Sequence, residues 1–233
     1  MKTIGMLGGM AWPSTAEYYR MVNEHIMEVT GGQNGPHTAK IILYSVDFHD
    51  VEQIRTSSDW EEWGRKMAEY AKVLEGAGAD FIIICTNTMH RLADVVEEAI
   101  DIPIMHIGDA TAEAIKREGL RDVGLLGTKI TMTEDFLKKR FERHGIWTIV
   151  PEEGDMDVVD ETIRNELVRN VIKEQSKLKL VDIIEKLAGK GAEGVVLACT
   201  ELSLLVSQED VDVPLFDTTR IHAVAAAEFA LKP

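Results

Sequence analysis

This chain of 233 residues carries a weak internal repeat, and the repeat constrains the fold more than any single motif does. Ile4-Gly5-Met6-Leu7-Gly8-Gly9 is echoed by Val123-Gly124-Leu125-Leu126-Gly127-Thr128. Phe81-Ile82-Ile83-Ile84-Cys85-Thr86 is echoed by Val195-Val196-Leu197-Ala198-Cys199-Thr200, and Ile102-Pro103-Ile104 by Val213-Pro214-Leu215. The offsets are 119 residues from Gly5 to Gly124, 114 from Cys85 to Cys199 and 111 from Ile102 to Val213. They drift while the order is kept, as they do when two copies of one unit differ in loop length. Two similar α/β halves are the simplest account.

The runs between the echoes support it. Thr3–Leu7, Ala39–Val46, Asp80–Cys85, Pro103–His106, Val123–Leu126, Thr148–Val150, Val195–Cys199 and Pro214–Phe216 are mostly short and rich in Ile, Val and Leu, as strands buried on both faces of a parallel sheet are. Amphipathic stretches lie between them, at Ser14–Val29, Asp59–Glu75, Met89–Ala99, Asp109–Glu118, Thr133–His144, Met156–Val171 and Leu178–Leu187, and the alanine-rich Thr218–Leu231 comes last. Alternating strand and helix means α/β with right-handed crossovers. The expected organisation is two similar α/β domains with parallel sheets, related by a pseudo-two-fold axis, with a cleft between them. The first domain takes 1–105 plus 213–233 and the second takes 106–212, with the C-terminal helix returning to the first.

The bulk numbers narrow the class of function. A net charge of −15 argues against nucleic acid as a partner, since that binding needs a basic footprint. No apolar run approaches the roughly 20 residues that span a bilayer, and the start of the chain lacks the pattern of a signal peptide, so a cytoplasmic location with no membrane partner is expected. Two cysteines are too few for a disulfide framework or a thiolate cage, and the seven histidines show no HExxH or other close metal-ligand spacing. No metal is expected. An acidic chain that binds an acid must hold it by local donors.

Chemistry points to the cysteines. Buried free cysteine is by itself only a small hydrophobe. Here both cysteines end equivalent strands and both precede threonine, in Cys85-Thr86-Asn87-Thr88-Met89-His90 and Cys199-Thr200-Glu201-Leu202. In open α/β sheets, ligands bind outside the carboxyl ends of the strands. Two opposed thiols can remove the α-proton of an amino acid from one face and return one to the other, the enantiomer deciding which starts as base. An ordinary thiol, with a pKa of about 8.5, must be activated for this. A helix beginning just after each cysteine would supply its positive end, and the N–H groups of Thr86, Asn87, Thr88, Thr200 and Glu201 would hold the substrate carboxylate.

The glycine-rich start and the two cysteine motifs together resemble the aspartate/glutamate racemase family, in order and over essentially the whole chain. The resemblance implies two α/β domains, no pyridoxal phosphate or other cofactor, a small amino-acid substrate and a homodimer. It implies acid/base catalysis by Cys85 and Cys199 on aspartate or glutamate. Relatives of the broad-specificity bacterial branch with threonine at the first cysteine work mainly on one enantiomer; cysteine at both positions implies turnover of both. The superfamily also holds hydantoin racemases, cis–trans isomerases and decarboxylases, so the fold does not by itself fix the substrate.

By the same resemblance, the loop after the first strand lines the substrate pocket, which makes Met10 a contact and Thr128 its counterpart in the second half. Lys173 would contact the substrate carboxylate. Aspartate-specific relatives carry an arginine soon after the second strand; here none comes before Arg55, and Gln53 would reach the ligand instead, with a solvated helix start as the plainer reading of His49 and Gln53. Glu201 stands where glutamate racemases have histidine and would orient the substrate ammonium or tune Cys199. Ser14 or Thr15 would cap the first helix, and His90 would pack in the first turn of its own. Outside the family, the alternatives are a two-lobed metabolite-binding protein without turnover and a redox pair of thiols.

Overall fold

In the computed structural model, residues 1–31, 35–57, 59–169 and 171–233 are described, those at 54–57 by backbone only. The chain divides into two compact units, Met1–Ile107 with His222–Pro233, and Gly108–Ile221. In the first unit the order is β1 (Thr3–Gly8), α1 (Trp12–Thr30), β2 (Lys40–Ser45), α2 (Phe48–Ser57), α3 (Trp60–Gly76), β3 (Phe81–Ile84), α4 (Ala93–Glu97) and β4 (Ile104–Met105), after which α5 (Ile107–Arg117) begins. The second unit runs β5 (Asp122–Gly127), α6 (Lys129–Thr133), α7 (Asp135–Arg143), β6 (Trp147–Ile149), α8 (Glu153–Asn165), α9 (Glu174–Gly189), β7 (Gly194–Ala198) and β8 (Leu215–Asp217), and α10 (Thr218–Leu231) leads back to the first.

Each unit has one four-stranded parallel sheet, ordered β2-β1-β3-β4 and β6-β5-β7-β8. The two orders are the same, so the sequence repeat is a repeat of topology. All eight expected strands are present, each within a residue or two of its expected ends. Burial explains their composition. Ile82 and Ile84 face α3 in a core with Leu7, Trp63 and Met67, while Phe81, Ile83 and Cys85 face a second core with Tyr18, Val22 and Ile26 of α1 and Ala223, Ala226, Ala227 and Ala230 of α10. Each fully buried isoleucine contributes about 1.5–3 kcal/mol relative to exposure. The alanines of α10 let its backbone approach the sheet, which explains that helix's composition. Its docking is completed where the Lys2 N–H donates to the Ala230 carbonyl at 2.8 Å.

Two expectations need correction. Residues 213–221 belong with the second unit, because β8 pairs with β7 from Val195↔Leu215 to Leu197↔Asp217; residues 106 and 107 belong with the first. The cysteines are also not at equivalent positions in the repeat. Gly5 lies opposite Ile82 on β3, and its counterpart Gly124 lies opposite Val195 on β7. By that register Ile82 matches Val195, so Cys85 matches Ala198 and Cys199 is one residue further along. Side chains alternate between faces with a period of two, and one residue of slip exchanges the faces. Cys85 packs on the α1 and α10 side, whereas Val195, Leu197 and Cys199 pack with α8 and α9, the helices that follow the edge strand as α2 and α3 do in the first unit.

Candidate active site

Three strand-end loops meet in the first unit. The Val46 N–H donates to the Gly8 carbonyl and the Cys85 N–H to the Leu7 carbonyl, both at 2.9 Å, which sets the ends of β2, β1 and β3 side by side. Gly9 has φ +88, and a Cβ there would lie 2.2 Å from the Val46 carbonyl oxygen, so only glycine fits. Its N–H donates to Thr15 Oγ1 at 2.9 Å. Thr15, expected as a helix cap with Ser14, therefore secures the glycine loop; the N-cap of α1 is Ala11, with no side-chain cap bond and with proline in the first turn. Met10 follows and is buried among Val46, Val51 and Met89. Gln53 lies on α2, exposed, its Nε2 2.9 Å from Nε2 of His49. The side chain of Arg55 lies outside the described residues.

Cys85 is fully buried. Burial alone pushes its thiol pKa well up. The segment that follows is a 3₁₀ turn, Thr88–Leu92, ahead of the five-residue α4. The positive helix end expected to activate the thiol is thus one short turn. The Thr86 N–H donates to the Ile84 carbonyl at 2.9 Å and is unavailable to a carboxylate, which corrects its expected role. His90 closes the turn, with Nδ1 2.8 Å from the Thr86 carbonyl oxygen. Asn87 is buried and Thr88 half-buried.

In the second unit, Cys199 and Glu201 follow β7, and the Cys199 thiol donates to Glu201 Oε2 at 3.0 Å. Cys199 is part-exposed, yet its pKa stands well above the usual thiol value. Desolvation is the main cause; the Glu201 charge and hydrogen bond add to it, and Asp160 contributes from further off. The turn again is 3₁₀, only Leu202–Leu204, so no long helix points at this thiol either. The Thr200 carbonyl accepts from Ser203 Oγ at 3.0 Å. Thr128, at the end of β5, caps α6: its hydroxyl accepts from the Thr131 N–H and lies 3.0 Å from Thr131 Oγ1. Asp160 Oδ1 accepts from the neighbouring Lys129 N–H at 2.7 Å and its Oδ2 from Arg164 Nε at 2.5 Å. Lys173 precedes α9, with its ammonium 3.0 Å from Glu166 Oε1 and its side chain 56% exposed. That ion pair ties it to the surface of its own unit, away from the Cys199 turn in sequence and in hydrogen bonding.

Within each unit, then, some of the strand-end residues come together: Met10 packs in one core with Met89 of the turn after Cys85, and Glu201 bonds Cys199. Gln53 and Lys173 are engaged elsewhere. Thr15, Asp160 and the partners of His90 were not legible as site residues, because each acts through a contact distant in sequence. Among the described residues, no group of three or more His, Cys, Asp or Glu is arranged to hold a metal ion, and no helix is long and apolar enough to cross a membrane.

The second unit thus repeats the first, each with a Cys-Thr turn after its third strand, and comparison with known proteins assigns this arrangement to a class. The Asp/Glu/Hydantoin racemase family model matches residues 7–226. The broad-specificity amino-acid racemase RacX of Bacillus subtilis (strain 168) is 24% identical over 222 residues, 93% of this chain and 92% of its own. A Yersinia pestis structure described as a candidate Asp/Glu racemase superposes with a TM-score of 0.94 at 46% identity, and one of an aspartate racemase homologue from Pyrococcus horikoshii with 0.86 at 36%, each over 100% of both chains. The chain belongs to the Asp/Glu/Hydantoin racemase family, and it is an amino-acid racemase, an isomerase.

Proposed function

We propose that the chain racemises an acidic amino acid, aspartate or glutamate, without a cofactor, by proton transfer through Cys85 and Cys199 acting on opposite faces of one substrate. The observation that carries the reading is the Cys199–Glu201 hydrogen bond. A binding protein has no use for a thiol whose proton is already directed at a carboxylate. Glu201 can take that proton as the thiolate forms: the S–H bond breaks, an O–H bond forms on Glu201, and the sulfur lone pair is left to attack the substrate α-hydrogen. Both thiols are held protonated by burial. A substrate ammonium beside them would favour the thiolate, since a nearby positive charge lowers an acid's pKa. Substrate binding would thus switch on the base. Asn87, Thr88, Thr200 and Met10 would line the bound molecule; a homodimer and a cytoplasmic setting are expected with this reading.

The test is a chiral substrate panel on protein dialysed against chelator and free of pyridoxal phosphate. Loss of optical rotation with L-aspartate or L-glutamate, and equally with the D-forms, is the expected result. Activity restored only by a metal or pyridoxal phosphate would contradict the cofactor-free mechanism. Activity confined to a hydantoin or to a cis–trans diacid pair would move the chain to another chemistry of the same family.

A further inference from the structure

Beneath the Cys85 turn lies a group of buried side chains that the proton-transfer scheme does not use: Tyr18 on α1, His90 after β3, His106 after β4 and His222 on α10. Hydrogen bonding fixes the state of two of the three imidazoles. His90 Nδ1 lies 2.8 Å from the Thr86 carbonyl oxygen, and its Nε2 lies 3.1 Å from the Ile107 N–H. A carbonyl can only accept and a backbone N–H can only donate, so His90 is neutral with its proton on Nδ1. His222 Nε2 lies 2.8 Å from the Met105 carbonyl oxygen, and its Nδ1 lies 2.9 Å from the Tyr18 hydroxyl. His222 is therefore the opposite neutral tautomer, with Tyr18 donating. The His90 ring packs edge-on against His106 at 4.5 Å and against His222 at 5.7 Å between centroids. The His90 bonds link the residue after Cys85 to Ile107, the His222 bonds link Tyr18 to Met105, and the first unit's chain leaves at Ile107 and resumes at His222.

We propose that His90 is a positioning residue for Cys85, a neutral imidazole braced by Ile107, His106 and His222 that fixes the peptide after the thiol through the Thr86 carbonyl. In a trans peptide the N–H points opposite to the carbonyl. Holding the Thr86 carbonyl down on His90 turns the Asn87 N–H away from the imidazole and fixes the backbone from which the Cys85 side chain leaves. The Thr86 N–H bond to Ile84 secures the other side of the same residue, so the turn is pinned on both flanks. At Cys199 the matching carbonyl, that of Thr200, accepts from the short Ser203 hydroxyl instead of an imidazole, the Leu202 N–H donates to the Cys199 carbonyl, and the thiol itself is held by Glu201. Misplacing a reacting group by about 1 Å can cost about 100-fold in rate, and a histidine placed only for packing would not distinguish a replacement that keeps the Thr86 bond from one that loses it.

The role of His90 in catalysis rests on the proposed racemase chemistry, but its effect on Cys85 does not, so the experiment reads both. Asparagine places an amide N–H near the position of Nδ1 and keeps the bond to Thr86; glutamine reaches the Nε2 position and loses it. The full-length His90→Asn and His90→Gln variants are compared with the wild type in two assays. The first is iodoacetamide alkylation of each cysteine in the substrate-free protein, followed by peptide mass spectrometry. His90→Gln should speed alkylation of Cys85 about tenfold, with Cys199 within twofold of wild type, and His90→Asn should stay near wild type. The second is turnover of α-protiated and α-deuterated substrate enantiomers. His90→Gln should lower kcat about 10- to 100-fold with little change in KM and raise the isotope effect for one enantiomer only. Equal behaviour of the Asn and Gln variants, or equal effects on both cysteines, would overturn the assignment. A wild type that turns over no acidic amino acid would sink the proposed function while leaving the alkylation result to decide the role of His90.

Discussion

The two cysteine turns share a topology, a short 3₁₀ turn and a desolvated thiol, and differ in the face of the sheet each thiol takes and in the partner it has. Cys85 is sealed under α1 and α10, and burial is the one cause that raises its pKa. Cys199 lies on the other face of its sheet by one residue of register, is part-exposed, and donates to Glu201. The loops beside them differ in the same way: Gly9 takes a left-handed conformation, whereas its counterpart Thr128 is extended at φ −62 and caps α6. A duplicated fold supplies two strand ends, and each half then equips its thiol separately. On this account the first half positions its cysteine through backbone and histidines, and the second tunes its cysteine through a carboxylate.

The largest expected effect comes from the thiols. Enantiomers have equal free energies in water, so kcat/KM must be the same in both directions for any variant; the asymmetry has to be read elsewhere. Cys85→Ser and Cys199→Ser should each lower turnover by about 10²–10⁴-fold. With α-deuterated substrates, each variant should raise the isotope effect in the direction where the altered residue abstracts, and the two variants should do so for opposite enantiomers. The same enantiomer responding in both would break the assignment of one thiol to each face.

A smaller effect separates the histidine-braced half from the other. Burial lowers the His222 pKa from 6.5 to about 4. The unfolded chain therefore takes up a proton in the window between those values while the folded one does not. Stability is full above pH 6.5 and falls as pH drops towards 4, by a total on the order of 3 kcal/mol, and changes no further from this group below that. The groups around it, Tyr18, His90 and His106, carry no fixed charge of opposite sign to offset this. Urea unfolding of wild type and His222→Gln across this window should show a shallower acid loss in the variant; identical slopes would place the effect elsewhere.

Next come the paired loop residues. Gly9→Ala should destabilise by at least about 1–3 kcal/mol, from left-handed strain with a clash added. Thr128→Ala should cost about 1 kcal/mol, as loss of a helix cap does. Equal costs in denaturant melts would mean the two loops are more alike than their backbones. The smallest effect is electrostatic. Glu201→Gln removes a negative charge next to Cys199, so the Cys199 pKa should fall while that of Cys85 stays put, as read by thiolate absorbance against pH. A rise, or a shift in both, would contradict the dyad.

Much of this was legible in the sequence because strand burial leaves a plain signature. The Ile and Val runs, the glycine turn and the Cys-Thr pairs gave two parallel sheets and the strand-end location of the thiols. The one-residue slip was not legible, since aligning Cys85 on Cys199 hides it; only the pairing of β3 with β1 and of β7 with β5 exposes it. The helix start read at His49 and Gln53 is present as α2, but its extent is not legible, because Phe48–Ser57 carries only Val51 to the core among the residues whose side chains are described. The expected helix activation of the thiols failed for a related reason: Met89–Ala99 reads as one helix by composition, yet its first turn closes as 3₁₀ where His90 bonds back to Thr86. The His222–Tyr18 pair spans 204 residues of sequence and leaves no local trace.

The central claim is that both thiols carry the α-proton. Wild type, Cys85→Ala and Cys199→Ala should be incubated with L- and D-aspartate and with L- and D-glutamate in deuterium oxide, following circular dichroism and substrate mass together. The account predicts that wild type inverts both enantiomers of at least one of these acids and places one solvent deuteron at Cα per inversion, and that each folded alanine variant loses inversion in both directions. A folded variant lacking either thiol that still inverts its substrate at the wild-type rate would contradict it.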